Sequence, residues 1–485
     1  MAPGLRCYDA NDLLTEGGDE RITLDSVTGT NRYGCGLLPD EDAWAFGSST
    51  ASVISEAAYG AVLGLAQRFE TYSSPQAAYA DGAPQVRERL ADLCGLAGMA
   101  DDIILGASGT DLHLIAAELA KGGEPGPLTC ILPDPAETGR GVGNAVRSLR
   151  FAEQTPHGEP VCVGEPLAGI TPGRILTTPL RSPDGEVRSP AAVDRDVERA
   201  TARAMAADGR AMLVLADVSK TGLVAPSPDC ASRLKRQFGD ALTVLVDACQ
   251  FRISSETAAD YLDRDFLVAL TGSKFIGGPA FSGALLVPPA GGSRMRRLPL
   301  PASLGDTSGR QDWPAPWRGR EDLPDRPNLG LLLRWEAALH ELAAFRALPP
   351  EAVDRFMTAF AARVCQTIDA LPNLERLEIP PLARARSGWD ARQTIFPFLV
   401  LRDGAPIDPG SLQGLYQRLQ SGRRAVCLGQ PVPIGFRDEK PLSALRLSLG
   451  ARLVVEALTT PGGEAAVMTR AAEALARTAA AAQTP

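Results

Sequence analysis

Short unbroken apolar runs recur from residue 103 to residue 270, and most are separated by segments of helical spacing. They are Ile103–Leu105, Leu128–Leu132, Ala211–Ala216, Leu242–Val246 and Phe266–Leu270. A strand with one wet face alternates apolar and polar residues. A strand without alternation is buried on both faces, and such strands belong to mostly parallel sheets covered by helices. The intervening helical segments are Leu112–Ala120, Val193–Ala206 and Ala231–Phe238. The chain is therefore expected to be an α/β protein.

The flanking regions extend this plan. Residues 1–20 read as a polar arm, and Arg21–Ser26 as a short strand. Helices are expected from Ser52 to Arg68 and from Pro84 to Cys94. The Pro/Gly-rich stretch from Pro288 to Pro327 reads as a loop or arm. A long helix from Leu329 to Phe345 then opens a second, smaller region. That region carries a helix over Glu351–Ala370, strands at Thr394–Leu401 and Leu445–Leu449, and a terminal helix over Glu464–Gln483. The expected division is an N-terminal arm with a small-domain segment (1–45), a large domain (46–327) and a C-terminal small domain (328–485).

Composition narrows the function classes. A net charge of −9 lacks the basic footprint of nucleic-acid binding. No apolar stretch spans a bilayer and no secretory h-region is seen, so a cytoplasmic protein is expected. Nine cysteines and three histidines are scattered without metal-ligand spacing, and no metal is expected.

Chemistry concentrates where the apolar runs end. Leu242–Val246 runs into Asp247, with Gln250 three residues on, and Phe266–Leu270 runs into Thr271, Ser273 and Lys274 before the turn at Gly277 and Gly278. A carboxylate at a buried strand end calls for a cationic partner. A lysine amine and a carboxylate so placed suit pyridoxal 5′-phosphate (PLP), which needs an amine to bind its aldehyde and an acid to pair with its ring nitrogen. Gln250 would donate to the ring's phenolic oxygen, and Thr271 and Ser273 offer hydroxyls to the phosphate. The bland alternatives are a helix N-cap for Asp247 and a solvated loop lysine for Lys274. Ser108, Gly109 and Thr110 stand between a strand and a helix, where backbone N–H groups and hydroxyls make a phosphate cup. Arg446, a cation inside an apolar strand, is a candidate clamp for a substrate carboxylate. Gly139-Arg-Gly141-Val-Gly143 fails the dinucleotide pattern, because its third glycine falls on Asn144.

These pieces, in this order, resemble the class V aminotransferase and cysteine desulfurase group of fold-type I PLP enzymes. The likeness runs through Ile22–Ser26, Gln85–Leu93, Ser108–Asp111, Asp217–Gly222, Asp247–Gln250, Lys274 and Leu445–Ser448. It implies a mostly parallel seven-stranded sheet flanked by helices, a smaller α+β C-terminal domain, bound PLP and a homodimer. In the dimer, the segment from Leu304 to Arg320 would reach the neighbouring subunit's cofactor. The resemblance also sets Ser219 at the asparagine of the family's N-E-T-G segment. Thr138 stands where a histidine usually covers the ring, and Ser273 where many members have histidine. Cys427 lies in a loop similar to one that carries a persulfide cysteine. Val426 replaces the preceding histidine and one residue is inserted, so a structural cysteine is expected.

The implied activity is that of a PLP-dependent transferase or lyase on an α-amino acid or a similar small molecule. Lys274 and Asp247 would be catalytic, and Arg446 would bind substrate. The substrate-side departures favour elimination or replacement at Cβ or Cγ, in specialised metabolism. Transamination is the close alternative. Carbon–carbon bond formation on a substrate such as S-adenosylmethionine, cysteine desulfuration and a non-catalytic binding homologue stand behind it.

Overall fold

The computed structural model describes residues 8–40, 42–47, 52–124, 126–384, 387–422 and 424–483. The apolar runs become the strands of one large sheet: β1 (Ile103–Gly106), β2 (Thr129–Pro133), β3 (Arg174–Thr178), β4 (Ala211–Asp217), β5 (Leu242–Ala248), β6 (Leu267–Thr271) and β7 (Gly283–Leu286). Their order is β1-β7-β6-β5-β4-β2-β3, and Val224–Ala225 adds a short antiparallel pairing to β4. All neighbours from β6 to β3 run parallel, whereas β7 is antiparallel to both β6 and β1.

Unbroken apolarity follows from two covered faces. Leu213, Leu215, Val244 and Val246 point into one core, and Met212, Val214 and Leu245 into another on the opposite face. The second core rests on the helix α1 (Gly109–Lys121), which is buried almost all round. Its one buried lysine, Lys121, is tolerated because its amine meets Glu118 Oε1 at 2.9 Å and Ser148 Oγ at 2.7 Å.

The C-terminal part begins with α2 (Leu329–Arg346), whose apolar side chains join the first core. Beyond it, β8 (Leu374–Arg376), β9 (Ile395–Arg402), β10 (Gly429–Arg437) and β11 (Lys440–Ser448) form an antiparallel sheet in the order β8-β9-β11-β10. The fold class is thus the expected one: a mostly parallel sheet between helices, with a smaller α+β part following.

Three local expectations are corrected. Arg21–Ser26 is a turn region rather than a strand. Asp25 Oδ1 accepts from the amides of Val27 (3.0 Å) and Thr28 (2.8 Å), a local bond pattern that competes with a sheet ladder. The helix expected to start at Pro84 runs instead over Pro75–Leu93, capped by Ser74, with Pro84 inside it. The stretch around Leu304–Arg320 is not a free arm. Trp313 and Trp317 are buried in their own subunit's core, 5.2 Å apart between ring centroids. The indole of Trp313 donates to Ser308 Oγ at 2.9 Å, and Arg87 Nη1 donates to Gln311 O at 3.0 Å. Two tryptophans bury too much apolar surface to be left in solvent.

Trp313→Ala should therefore cost about 3–5 kcal/mol, the range for emptying a large aromatic site in a core. Denaturant unfolding measures this, and a loss below about 1 kcal/mol would return the segment to the status of a surface arm.

Candidate active site

The carboxyl ends of parallel strands are where open α/β sheets bind ligands. Asp247 is the penultimate residue of β5, Lys274 follows β6, and Thr138 and Ser219 follow β2 and β4. The loop after β6 brings Lys274 in on small residues. A Cβ on Gly272 would stand 2.4 Å from Ala338 Cβ, and one on Gly278 2.7 Å from the same atom, so only glycine permits this approach to α2. Phe275 N donates to Gln250 O (3.2 Å) and Ala451 N to Phe275 O (2.7 Å), which fixes the backbone beside the lysine. The Lys274 amine itself is half-buried and makes no hydrogen bond or ion pair among the described residues.

Asp247 faces His113, a residue passed over in the sequence. His113 is buried on α1, its Nδ1 is 2.7 Å from Gly109 O, and its Nε2 is 3.4 Å from Asp247 Oδ2. The second contact pairs the two groups without being an aligned hydrogen bond. With a carbonyl at one ring nitrogen and a carboxylate at the other, the imidazole is best served by a proton on each. Burial alone would discharge both groups. Their mutual attraction, with Lys274 and the Cys249 amide (3.2 Å) also acting on Asp247, holds the carboxyl well below its ordinary range, and the carboxylate raises His113. Asp247 caps no helix, because the next one is capped by Ser254. His113 carried a faint signal: it is the one ionisable imidazole in the apolar run Leu112–Ala120, one helical turn beyond Gly109.

The cup is tightly built. Ser108 Oγ donates to Asp111 Oδ2 (2.5 Å) and accepts from the amide of Thr110 at 3.2 Å, while the Ser108 amide donates to Asp111 Oδ2 at 2.8 Å. A Cβ on Gly109 would lie 2.7 Å from Cys249 Sγ, so the helix start is pressed against the end of β5. The hydroxyls of Thr110, Thr138 and Ser273 have no protein partner among the described residues, whereas Thr271 Oγ1 donates to Cys249 O (2.6 Å) and ties β6 to β5. Gln250 is buried with Oε1 unpartnered. A glycine-lined cup, free hydroxyls, an orphaned amide and a paired carboxylate fit the phosphate, the polar ring groups and the ring nitrogen of PLP.

On the side of β4, Glu137 organises the site and was also missed. It accepts from Ser219 Oγ (2.7 Å), Thr221 Oγ1 (2.6 Å), the Thr221 amide (3.1 Å) and Arg181 Nε (3.1 Å). Ser219 is thus held by the acid, and it also accepts from Leu223 N at 3.1 Å. Arg446, buried on β11, donates from Nη1 to Lys220 O (3.0 Å) and from Nη2 to Gln430 O (2.8 Å), and its Nε is unpartnered. Burial without an acidic partner lowers it to about 10.

Cys427 is in a strand, not a mobile loop. Val426–Cys427 pairs in parallel with Trp44–Ala45, and burial pushes the thiol up to about 11. Of the two arginines that might have activated it, Arg423 lies outside the described residues, and Arg424 is not among the charges that shift the thiol. Among the described residues, no group of three or more His, Cys, Asp or Glu side chains is placed to hold a metal ion, and no helix is long and apolar enough to cross a membrane.

Solved structures share this architecture. A cystine C-S lyase, C-DES, in complex with its product cysteine persulfide is 15% identical, with a TM-score of 0.54 over 90% of this chain and 98% of that one. A ureidoglycine–glyoxylate aminotransferase from Bacillus subtilis is 12% identical, with a TM-score of 0.52 over 92% of this chain and 98% of its own. A serine palmitoyltransferase from S. paucimobilis, bearing a PLP–myriocin aldimine, is 13% identical with a TM-score of 0.50, covering 89% and 87%. The fold is theirs. No protein-family model and no curated protein sequence matches the chain.

Two outcomes follow from this geometry. His113→Gln should destabilise the protein more at pH 6 than at pH 9. The raised imidazole contributes fully below its unfolded value, about 6.5, and loses that contribution as pH rises through the folded value. Unfolding free energies at both pH values test this, and a pH-independent difference would show that His113 is neutral. Cys427→Ala should leave turnover unchanged and stability lower by about 1 kcal/mol or less. Persulfide found on Cys427 after incubation with cysteine would reverse that assignment.

Proposed function

We propose that the protein is a PLP-dependent enzyme acting on an α-amino acid or a close analogue, with elimination or replacement at Cβ or Cγ as the favoured outcome and transamination as the alternative. The observation that carries this reading is the convergence of an unpartnered lysine amine and a carboxylate held ionised, on adjacent strand ends beside a glycine-lined cup. Bound there, PLP supplies the electron sink that makes a Cα proton removable.

The chain's own residues divide the remaining work. Gly109, Thr110 and Ser273 hold the phosphate with free hydroxyls and the start of α1, while Ser108, whose hydroxyl and amide both go to Asp111, shapes the cup. Asp247, kept anionic by His113, holds the proton on the ring nitrogen. Gln250 donates to the phenolic oxygen, and Thr138 and Ser219 line the ring. Thr271 acts indirectly, by tying the two strand ends together. Arg446 orients the α-carboxylate, and Lys274 removes and returns the proton at Cα. The neighbours' chemistry, C–S lysis and amino transfer among them, is consistent with either outcome. The stiff, raised thiol of Cys427 speaks against desulfuration through a persulfide. The same proposal includes a cytoplasmic homodimer.

Lys274→Ala should lose turnover entirely, together with the borohydride-fixed cofactor label that the wild-type protein carries at this position. Mass spectrometry of the reduced protein decides it; a label of equal yield in the variant would sink the assignment.

A further inference from the structure

The cations around Arg446 outnumber what one α-carboxylate can occupy. Lys220 sits next to it: its carbonyl accepts from Arg446 Nη1 at 3.0 Å, and its amide donates to Glu137 O at 3.0 Å. Its ammonium is half-buried and reaches Ala136 O at 3.3 Å, two residues before Thr138, so it lies between the ring-lining loop and the carboxylate clamp. It forms no ion pair among the described residues. The acid that acts on it, Glu137, is already taken by Arg181, Ser219 and Thr221.

The groups acting on Lys220 are otherwise of its own sign. Burial comes first, then Arg446, Lys274 and Arg140, with Glu137 alone opposing them, and the amine falls to about 8. A buried guanidinium with Nε unpartnered and, on the residue whose carbonyl it holds, a half-buried ammonium with free N–H groups are an arrangement that an anion completes.

We propose that the substrate carries a second oxyanion on its side chain and that Lys220 receives it, while Arg446 takes the α-carboxylate. This rests on the PLP reading above and narrows its substrate to dianionic amino acids. A neutral side chain would leave the Lys220 ammonium desolvated without a partner. A dianionic one pairs with it, and the preference holds while the lysine is protonated, fading as pH rises beyond about 8.

The test is titration of the PLP-loaded protein with L-aspartate, L-glutamate, L-cysteine sulfinate and O-phospho-L-serine, each beside a neutral counterpart (asparagine, glutamine or serine), following the cofactor's absorbance. At least one dianion should half-saturate at a concentration on the order of tenfold below its neutral counterpart at pH 7, the scale of one charge-assisted bond. The carboxylate, sulfinate and phosphate arms identify which oxyanion is read. Lys220→Met should erase the preference and Lys220→Arg should keep much of it. A yellow protein with no preference, or a preference intact in Lys220→Met, would overturn the inference. Loss of PLP retention in Lys220→Met with substrate discrimination unchanged would also overturn it, by making Lys220 a cofactor ligand. A wild-type protein that takes up no PLP is a separate failure, that of the underlying reading.

Discussion

A carboxylate at the end of a fully buried strand is stable in its charged form only if cations meet it there, and at Asp247 they come from two directions. His113 arrives on α1, whose first turn is the candidate phosphate cup, and Lys274 follows the strand next door. The order of the strands follows this need. With β5 and β6 adjacent and parallel, the acid and the amine emerge at the same edge, and the antiparallel β7 returns the chain so that β1 can deliver the cup to that edge as well. Gly109 has to be glycine for the same reason, since a side chain there would push the cup off the end of β5.

Much of this was legible in the sequence because burial on both faces leaves an unmistakable trace. Leu242–Val246 and Ala211–Ala216 could hardly be anything but central strands, and charged or hydroxyl residues directly after them had to be at their carboxyl ends. Less legible was anything that depends on where a side chain finds its partner. Thr271 looked like a phosphate ligand, yet its hydroxyl is committed to Cys249 O. His113 looked like one more residue of an apolar helix. Glu137 sat unnoticed beside a failed glycine motif, although it fixes Ser219 and Thr221 from across the sheet edge.

The misread segments share a cause. Proline, glycine and charged residues around Trp313 and Trp317 suggested an exposed connection, because composition reports average polarity and not which few side chains turn inward. Here two indoles outweigh a polar neighbourhood, and Tyr79 Oη bonding to the buried Asp312 secures them. Arg21–Ser26 erred the other way, since its apolar residues suggested a ladder while Asp25 had closer amides to accept from.

Arg446 also acts as a fastener. Its guanidinium donates across the gap between β11 and the segment after β4, and a Cβ at Gly429 would stand 2.9 Å from its Cζ, so the backbone of β10 is moulded around it. In the proposed reading, recognition and assembly share one side chain. An inactive variant at this position would not report on substrate affinity alone, because the two halves of the molecule would also have lost a rivet. Changing Gly429 instead would shift the guanidinium while leaving its charge in place, which makes that glycine the finer lever for redirecting specificity.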